Sequence, residues 1–305
     1  MPKIFINLIT FNDNVSTNEC LESIEKLNKK GFELYVVVVD NGSKEKFEID
    51  KEYKNFNLKI LYSTKNLGFS GGQNLGIKYA LGETADYIVV LNNDVITDEN
   101  LIIELLNSFK SQEVGVVCPK IYFAKGYEFH KDRYENKDLG KVFWYAGGLI
   151  DWRNVFGKHR GVDEIDNGQF DQREETQVAT GCCMMVSREV FEKAGLFNEN
   201  FFLYYEDADL SMRILKQGFK IIYEPKAILW HKNAAATGSG SPLQDYYITR
   251  NRLVFGFKYA KKRVKFALFR ESFKILLDGR EWQKIGVRDF YLRKFNKGSY
   301  EITNE

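Results

Sequence analysis

The residues best suited to do chemistry fall in four short clusters. Asn92, Asn93 and Asp94 close the apolar run Tyr87–Leu91. Glu206, Asp207 and Asp209 follow the aromatic run Phe201–Tyr205. His231 follows Ala227–Trp230, and Arg250 and Arg252 follow Tyr246 and Tyr247. The first run is rich in Val and Ile, which suits a strand buried on both faces, as in a parallel sheet. Ligands of open α/β sheets bind outside the carboxyl ends of the strands. Asp94 is then placed to hold a hard divalent cation, and such a cation can hold a diphosphate. Taken alone, the triplet also reads as an Asn/Asp turn. Carboxylates in the first turn of a helix are favoured by its dipole, which accounts for Asp209 without any function. Glu206 and Asp207 adjoin a run that should be buried. A carboxylate beside apolar walls has a raised pKa and suits a general base. Arginine forks suit phosphates, although an amphipathic helix with a solvated basic side gives the same pattern. His231 is one of three histidines. It precedes a Gly/Ser stretch, Thr237–Pro242, that reads as a mobile loop and a candidate lid.

Alternating strands and helices would position these clusters. Lys3–Thr10 and Glu33–Val39 read as buried strands. Between them a helix spans Thr17–Leu27, capped by Asn14 or Ser16 and stopped by Gly31. That is a right-handed βαβ unit with parallel strands. Leu58–Ser63 is a third strand and Tyr87–Asp94 a fourth. Asp98 caps a helix over Glu99–Ser111, and Val114–Val117 is another strand. The stretch Ile121–Asp166 has no assignable pattern, and Trp144–Gly148 and Lys158–Gly161 look like loops or hairpins. Gln177–Val186 is strand-like, Arg188–Ala194 a short helix, and Leu210, Ile214 and Leu215 carry a helix to Gly218. Phe219–Tyr223 and Ala227–Trp230 are strands on either side of Pro225.

Gly68, Gly71, Gly72 and Gly76 follow the third strand and precede a helical run. Such a cluster brings backbone close to a ligand, or lets a helix pack closely. The spacing is not G-x-G-x-x-G, and the first strand–helix turn has no glycine. A nicotinamide-dinucleotide site is therefore disfavoured, and no Walker A pattern occurs.

Composition excludes other classes. The 305 residues are 44% hydrophobic and 28% charged, ordinary for a globular protein. The net charge of +2 gives no global attraction to nucleic acid. Cys20, Cys118, Cys182 and Cys183 show neither C-x-x-C spacing nor histidine partners, so zinc and disulfides are not expected and a reducing cytoplasm is. No signal-peptide pattern or membrane-spanning run is visible, which leaves a soluble protein or one peripheral to a membrane.

Charge is unevenly placed. Residues 250–297 hold fifteen Lys/Arg and four Asp/Glu. Phe255, Phe257, Phe266, Phe269 and Phe273 are interleaved with them. This basic amphipathic tail fits contact with anionic lipid, and equally a helix pair packed on the domain with solvated lysines. It could also serve as a homodimer interface. Nucleic acid is the least supported partner, since no binding motif accompanies the charge.

Together these clusters carry a resemblance. Thr10-Phe11-Asn12, Asp40-Asn41-Gly42-Ser43, the Asn66–Gly76 glycine motif and Leu91–Asp94 match it first. Ala146–Gly148, Thr180–Cys182, Phe201–Arg213, His231 and Tyr246–Asn251 follow in the same order. In that order and spacing the chain resembles inverting glycosyltransferases of family 2, in their rhamnosyltransferase-like branch, over most of residues 1–252. The resemblance implies an α/β GT-A fold: a Rossmann-like, mostly parallel sheet with a smaller acceptor-side sheet. A nucleotide-binding half (1–118) and an acceptor half (119–245) would precede the C-terminal helices (246–305). It implies a nucleotide-diphosphate sugar donor, a saccharide acceptor that could be lipid-linked, and Mg or Mn. Thr10, Asn12, Asp40 and Asn41 would meet the nucleoside, with Asp40 on the base. Asn66, Gly68, Gly72 and Asn74 would flank nucleotide and ribose. Asn92, Asn93 and Asp94 stand where the family has D-x-D, so Asn92 replaces its first carboxylate. Asp94 and His231 would hold the metal, and Asp207 would be the base. Glu206, Asp209, Tyr205 and Gly181 would lie on the acceptor side. Arg250, with Tyr246, would meet the diphosphate. The expected location is the cytoplasm, or the inner face of the cytoplasmic membrane.

Two other readings remain from the residues. A sugar-phosphate nucleotidylyltransferase would need a glycine-rich basic loop after the first strand, where Thr10–Asn14 offers none. A non-catalytic nucleotide-sugar-binding module would not need carboxylates, histidine and arginine together.

Overall fold

A computed structural model describes residues 1–233 and 240–300. The strands are β1 (Lys3–Thr10), β2 (Glu33–Asp40), β3 (Asn57–Tyr62), β4 (Tyr87–Leu91), β5 (Val95–Thr97), β6 (Val114–Phe123), β7 (Phe143–Tyr145), β8 (Gly148–Asp151), β9 (Phe156–His159), β10 (Glu174–Thr176), β11 (Cys183–Ser187) and β12 (Lys220–His231). The helices are α1 (Asn14–Ile24), α2 (Gly68–Gly82), α3 (Leu101–Asn107), α4 (Arg188–Ala194), α5 (Glu206–Lys216), α6 (Pro242–Tyr259), α7 (Lys262–Asp278) and α8 (Glu281–Tyr291).

One sheet runs in the order β10-β12-β6-β11-β4-β1-β2-β3, with β5 added on β12 and β7 on β6. The β4-β1-β2-β3 part is parallel, as is β12 on β6. Antiparallel β11 joins these two parallel regions through β4 and β6. β8 and β9 form a separate hairpin. The central strands are buried almost throughout, the pattern of strands covered on both faces. β3, at the edge, is mostly half-exposed.

Several expected boundaries move. Asp13, rather than Asn14 or Ser16, caps α1, accepting from Ser16 N. β4 stops at Leu91, so Asn92–Asp94 form a bend between β4 and β5. α3 starts at Leu101 after Asn100, not at Asp98. The unassigned stretch holds the last three residues of β6 and all of β7–β9, strands too short to show a period. The two runs flanking Pro225 are one strand, β12, with a register shift between Glu224 and Ile228 that accommodates the proline. The expected boundaries 118/119 and 245/246 fall inside β6 and α6, so one sheet serves both expected halves. Of the expected lid, residues 237–239 lie outside the described residues; Ser241 caps α6 and Pro242 begins it.

The glycine cluster belongs to helix α2. At Gly76 a Cβ would overlap the Asn7 side chain on β1, and Asn7 Nδ2 donates to Gln73 O (3.1 Å). Gly76 therefore lets α2 lie directly on the sheet. Gly68 has φ +72°, and a Cβ there would sit 2.5 Å from Phe202.

Candidate active site

The parallel register aligns the ends of three neighbouring strands. Thr10 pairs with Asp40 and Leu8 with Leu91, so β4, β1 and β2 end along one edge. A cleft of about 360 Å³ lies there, lined among others by Asn41, Asn66, Gly68 and the Asn92–Asp94 bend. It is the strand-end crevice in which open α/β sheets bind ligands.

Asn41 organises one wall of the cleft. Its Nδ2 donates to Asn66 Oδ1 (3.2 Å) and Gly68 O (3.1 Å), and its Oδ1 accepts from Leu67 N (3.0 Å). Asn66 Oδ1 also accepts from Gly68 N (2.8 Å). These bonds fix the start of α2 against the end of β2. Asp40 is buried, and its carboxylate accepts from Ser43 N (2.9 Å) and Phe47 N (3.0 Å). Thr10 Oγ1 donates to Asp13 O (3.0 Å) and accepts from Thr17 Oγ1 (2.9 Å). Asn12 receives from Lys44 N (2.9 Å), and its amide donates to Ser43 Oγ (2.9 Å). Asn74 is bonded to both N and O of Phe197. Thr10, Asn12, Asp40, Gly72 and Asn74 do not themselves line the cleft, and neither do Gly181, Glu206, Asp207 and His231. Phe11, Asp13, Phe69, Gln73, Phe202, Leu203 and Leu243 line it without having been singled out. For Asp13 the signal was available, as an acidic residue just past the end of β1.

Asp94 and His231 meet. β5 pairs with β12 so that Val95 faces His231, and Lys232 N donates to Asp94 O (2.9 Å). His231 Nε2 lies 3.0 Å from Asp94 Oδ1. The imidazole is buried and packs edge-on to Trp144 at 4.7 Å. Its Nδ1 has no hydrogen-bond partner among the described residues. Trp144 packs on its other neighbour, His159, at 4.5 Å. Burial pushes His159 down to about 4, so its ring stays uncharged near neutral pH. Among the described residues no group of three or more His, Cys, Asp or Glu could hold a metal. A cation here would take its protein ligands from one carboxylate and one imidazole.

Glu206 and Asp207 open α5, where its dipole favours negative charge. Asp207 Oδ2 accepts from Gly181 N (3.1 Å) and Oδ1 from Ala208 N (2.7 Å). Gly181 abuts the ring of Phe69, which lines the cleft. Burial raises the pKa of Asp207 against the pull of those two amides. Burial, then the charge of Asp207, lifts Glu206 well above the usual range. Glu206 Oε2 has no partner among the described residues. When the pair shares one proton it therefore rests on Glu206, and Asp207 ionises with two amides already aimed at it.

Three expected site residues do other work. Asp209 is fully buried; it accepts from Arg213 (2.9 Å), Lys258 (2.6 Å) and Tyr259 (2.8 Å), tying α5 to α6. Tyr205 donates its hydroxyl to Val155 O (2.8 Å). Arg250 is fully buried and does not reach the cleft. It donates to Phe201 O (3.0 Å), Asn200 O (3.3 Å), Asn296 O (2.7 Å) and Asn251 Oδ1 (3.0 Å), and lies over the rings of Tyr246 and Tyr247. Asn251 Nδ2 donates to the carbonyls of Phe201, Leu203 and Tyr204 at 2.8–2.9 Å. Together they clamp the turn before Glu206, where Phe202, Tyr204 and Tyr205 all have positive φ. A guanidinium whose Nε, Nη1 and Nη2 all donate within the protein in this way is not free for a diphosphate.

A mostly parallel sheet with its polar residues gathered at one strand-end crevice is the architecture of GT-A glycosyltransferases. The crystal structure of GalNAc-T7 with UDP, GalNAc and Mn²⁺ superposes with a TM-score of 0.68 at 16% identity, over 95% of this chain and 55% of that one. The family model for glycosyl transferase family 2 matches residues 6–195, and the chain belongs to that family. It is 30% identical over 186 residues to the low-salt glycan biosynthesis hexosyltransferase Agl10 of Haloferax volcanii, covering 61% of this chain and 54% of that protein. It is 25% identical over 259 residues to the dTDP-rhamnosyl transferase RfbF of Shigella flexneri, covering 81% and 78%. The chain thus sits in the rhamnosyltransferase-like branch, and it spans about half the length of the Haloferax relative.

Proposed function

We propose that the chain transfers a sugar from a nucleoside-diphosphate donor to a hydroxyl of a saccharide acceptor, with inversion, and that a divalent cation assists. The observation that carries this is the Asp94–His231 pair at the strand-end cleft. One carboxylate and one imidazole suit a cation that takes its remaining ligands from donor oxygens. The mixed O/N set favours Mn²⁺ over Mg²⁺, which prefers oxygen and water. When bound, the cation offsets the charge developing on the leaving diphosphate.

The chain's own residues do the rest. Asn41, Asn66 and Gly68 form the wall for the nucleoside and ribose. Asp207 takes the proton from the acceptor hydroxyl as its oxygen bonds to the anomeric carbon. The bond from that carbon to the diphosphate oxygen breaks on the opposite face, so one displacement inverts the centre. Glu206, protonated, keeps a second negative charge away from the base. The relative that uses dTDP-rhamnose makes that donor the first candidate, with UDP-sugars next.

Calorimetric titration of UDP, dTDP and GDP, with and without Mn²⁺, tests the site. One nucleotide should bind in a Mn²⁺-dependent way, and Asp94→Ala should abolish that dependence. Metal-independent binding that Asp94→Ala leaves intact would overturn the assignment of Asp94.

A further inference from the structure

The C-terminal helices leave one face uncovered. α7 is 17 residues long, and only Leu268 and Ser272 on it are buried. Phe266, Phe269, Phe273 and Leu277 are 63, 41, 50 and 76% exposed, values unusual for such side chains in a folded domain. At about 100° per residue these four and Leu276 share one arc about 100° wide. Lys262 lies within that arc; Lys265 flanks one side, and Arg263, Arg270 and Lys274 the other. Leu268, Ile275 and Val264 point the opposite way, into the cluster shared with α6 and α8. Exposed Tyr291 and Leu292 at the end of α8 extend the patch, with Tyr291 6.4 Å from the Phe273 ring.

We infer that this face of α7 docks the protein onto an anionic lipid surface. The apolar arc is the kind that sinks to the headgroup–acyl boundary, and the basic residues beside it are placed for lipid phosphates. Among the described residues none of Lys262, Arg263, Lys265, Arg270 and Lys274 makes an ion pair, so their charge is available. Residues 250–297 carry a net +11, while the remaining residues carry −9, so the charge is concentrated at this end. A symmetric dimer through the same face would set two basic borders against each other. No helix among the described residues is long and apolar enough to cross a membrane, so α7 would lie on the surface. This inference is independent of the transfer reaction, and its test uses no sugar donor.

The test is co-sedimentation of the full chain with phosphatidylcholine vesicles, with and without phosphatidylglycerol, across a salt series, alongside equilibrium sedimentation without lipid. The wild type should pellet with the anionic vesicles only, and less as salt rises. Each Lys or Arg at such a surface contributes about fivefold in partitioning, so Lys262→Glu with Arg263→Glu, Arg270→Glu and Lys274→Glu should lower it by about two to three orders of magnitude. Phe266→Ser with Phe269→Ser and Phe273→Ser should weaken it by at least about tenfold, with an unchanged melting temperature since the rings are exposed. Wild type that stays in the supernatant with anionic vesicles at low salt would overturn the inference. So would a dimer in the absence of lipid that the Phe variant dissociates, because a second copy would then cover the face.

Discussion

Arg250→Lys separates two roles that one sequence motif allows. If the guanidinium met a diphosphate, the variant would keep its stability and lose nucleotide affinity. The structure argues the reverse. Lysine keeps the charge but has three donors on a point and no fork. It cannot reach Phe201 O, Asn296 O and Asn251 Oδ1 together, the three shortest bonds of Arg250 at 2.7–3.0 Å. A hydrogen bond from a charged donor contributes about 1.5–3 kcal/mol, so losing the two to the carbonyls of Phe201 and Asn296 costs about 3 kcal/mol or more. For a chain of this size that lowers the melting temperature by roughly 5–10 °C. The released turn leads directly into Glu206 and Asp207, and misplacing a base by about 1 Å can cost 10²-fold in rate. Nucleotide affinity, measured by calorimetry below the melting transition, should stay within about twofold, as expected for an uncoupled site. The assay set is a thermal melt, a nucleotide titration and a transfer rate. An unchanged melt with affinity lowered by orders of magnitude would refute the clamp and restore Arg250 to the diphosphate.

Four further outcomes follow from the same geometry. Asp207→Asn should lower the transfer rate by about 10²–10⁴ while nucleotide binding persists. In the wild type the acid limb of the rate profile should lie above the ordinary aspartate range, because burial raises Asp207 and the base works only when ionised. A limb near pH 3.9 would contradict that environment. Glu206→Gln should gain stability relative to wild type as pH rises. The folded state holds the Glu206 proton above the pH at which the unfolded chain releases it, about 4.3, so wild-type stability falls across that window and the glutamine variant escapes the fall. Parallel melting curves from pH 4 to pH 8 would show Glu206 to be an ordinary carboxyl. Gly76→Ala should cost about 1–3 kcal/mol by forcing α2 off Asn7, read as a lowered denaturation midpoint; an unchanged midpoint would mean that Asn7 moves aside freely.

What could be read from the sequence was what repeats along it. β1, β2 and β4 were visible because strands buried on both faces are continuous apolar runs, and their ends located the cleft. Asp94 was placed correctly at a strand end, but its pairing with His231 depends on β5 joining β12 antiparallel, across more than a hundred residues of sequence. The glycine cluster was read two ways, as backbone near a ligand or as close helix packing, and the structure holds an example of each. Gly68 lines the cleft; Gly76 answers to a side chain on β1, which no local pattern encodes. Arg250, Asp209 and Tyr205 were misjudged for one shared reason. Their residue types suit ligands and buried networks equally, and the difference lies in whether hydrogen-bond partners from distant segments already surround them.

That difference also explains why the C-terminal helices matter to the catalytic end of the molecule. Tyr246 donates to Asp289 (2.7 Å), and the same tyrosine hydroxyl and carboxylate accept from Ser299 N. Arg250, one turn along α6, also reaches the carbonyl of Asn296. The segment after α8 is thereby bound to α6, and α6, through Arg250 and Asn251, is bound to the turn that presents Asp207. Phe202 in that turn lines the cleft and stacks on Tyr247 at 5.2 Å. The strained turn before Glu206 and Asp207 is thus held from α6, outside the sheet that ends at the cleft. Removal of the α6–α8 helices should leave most of the parallel sheet's own contacts in place yet release Phe202, and with it one wall of the cleft.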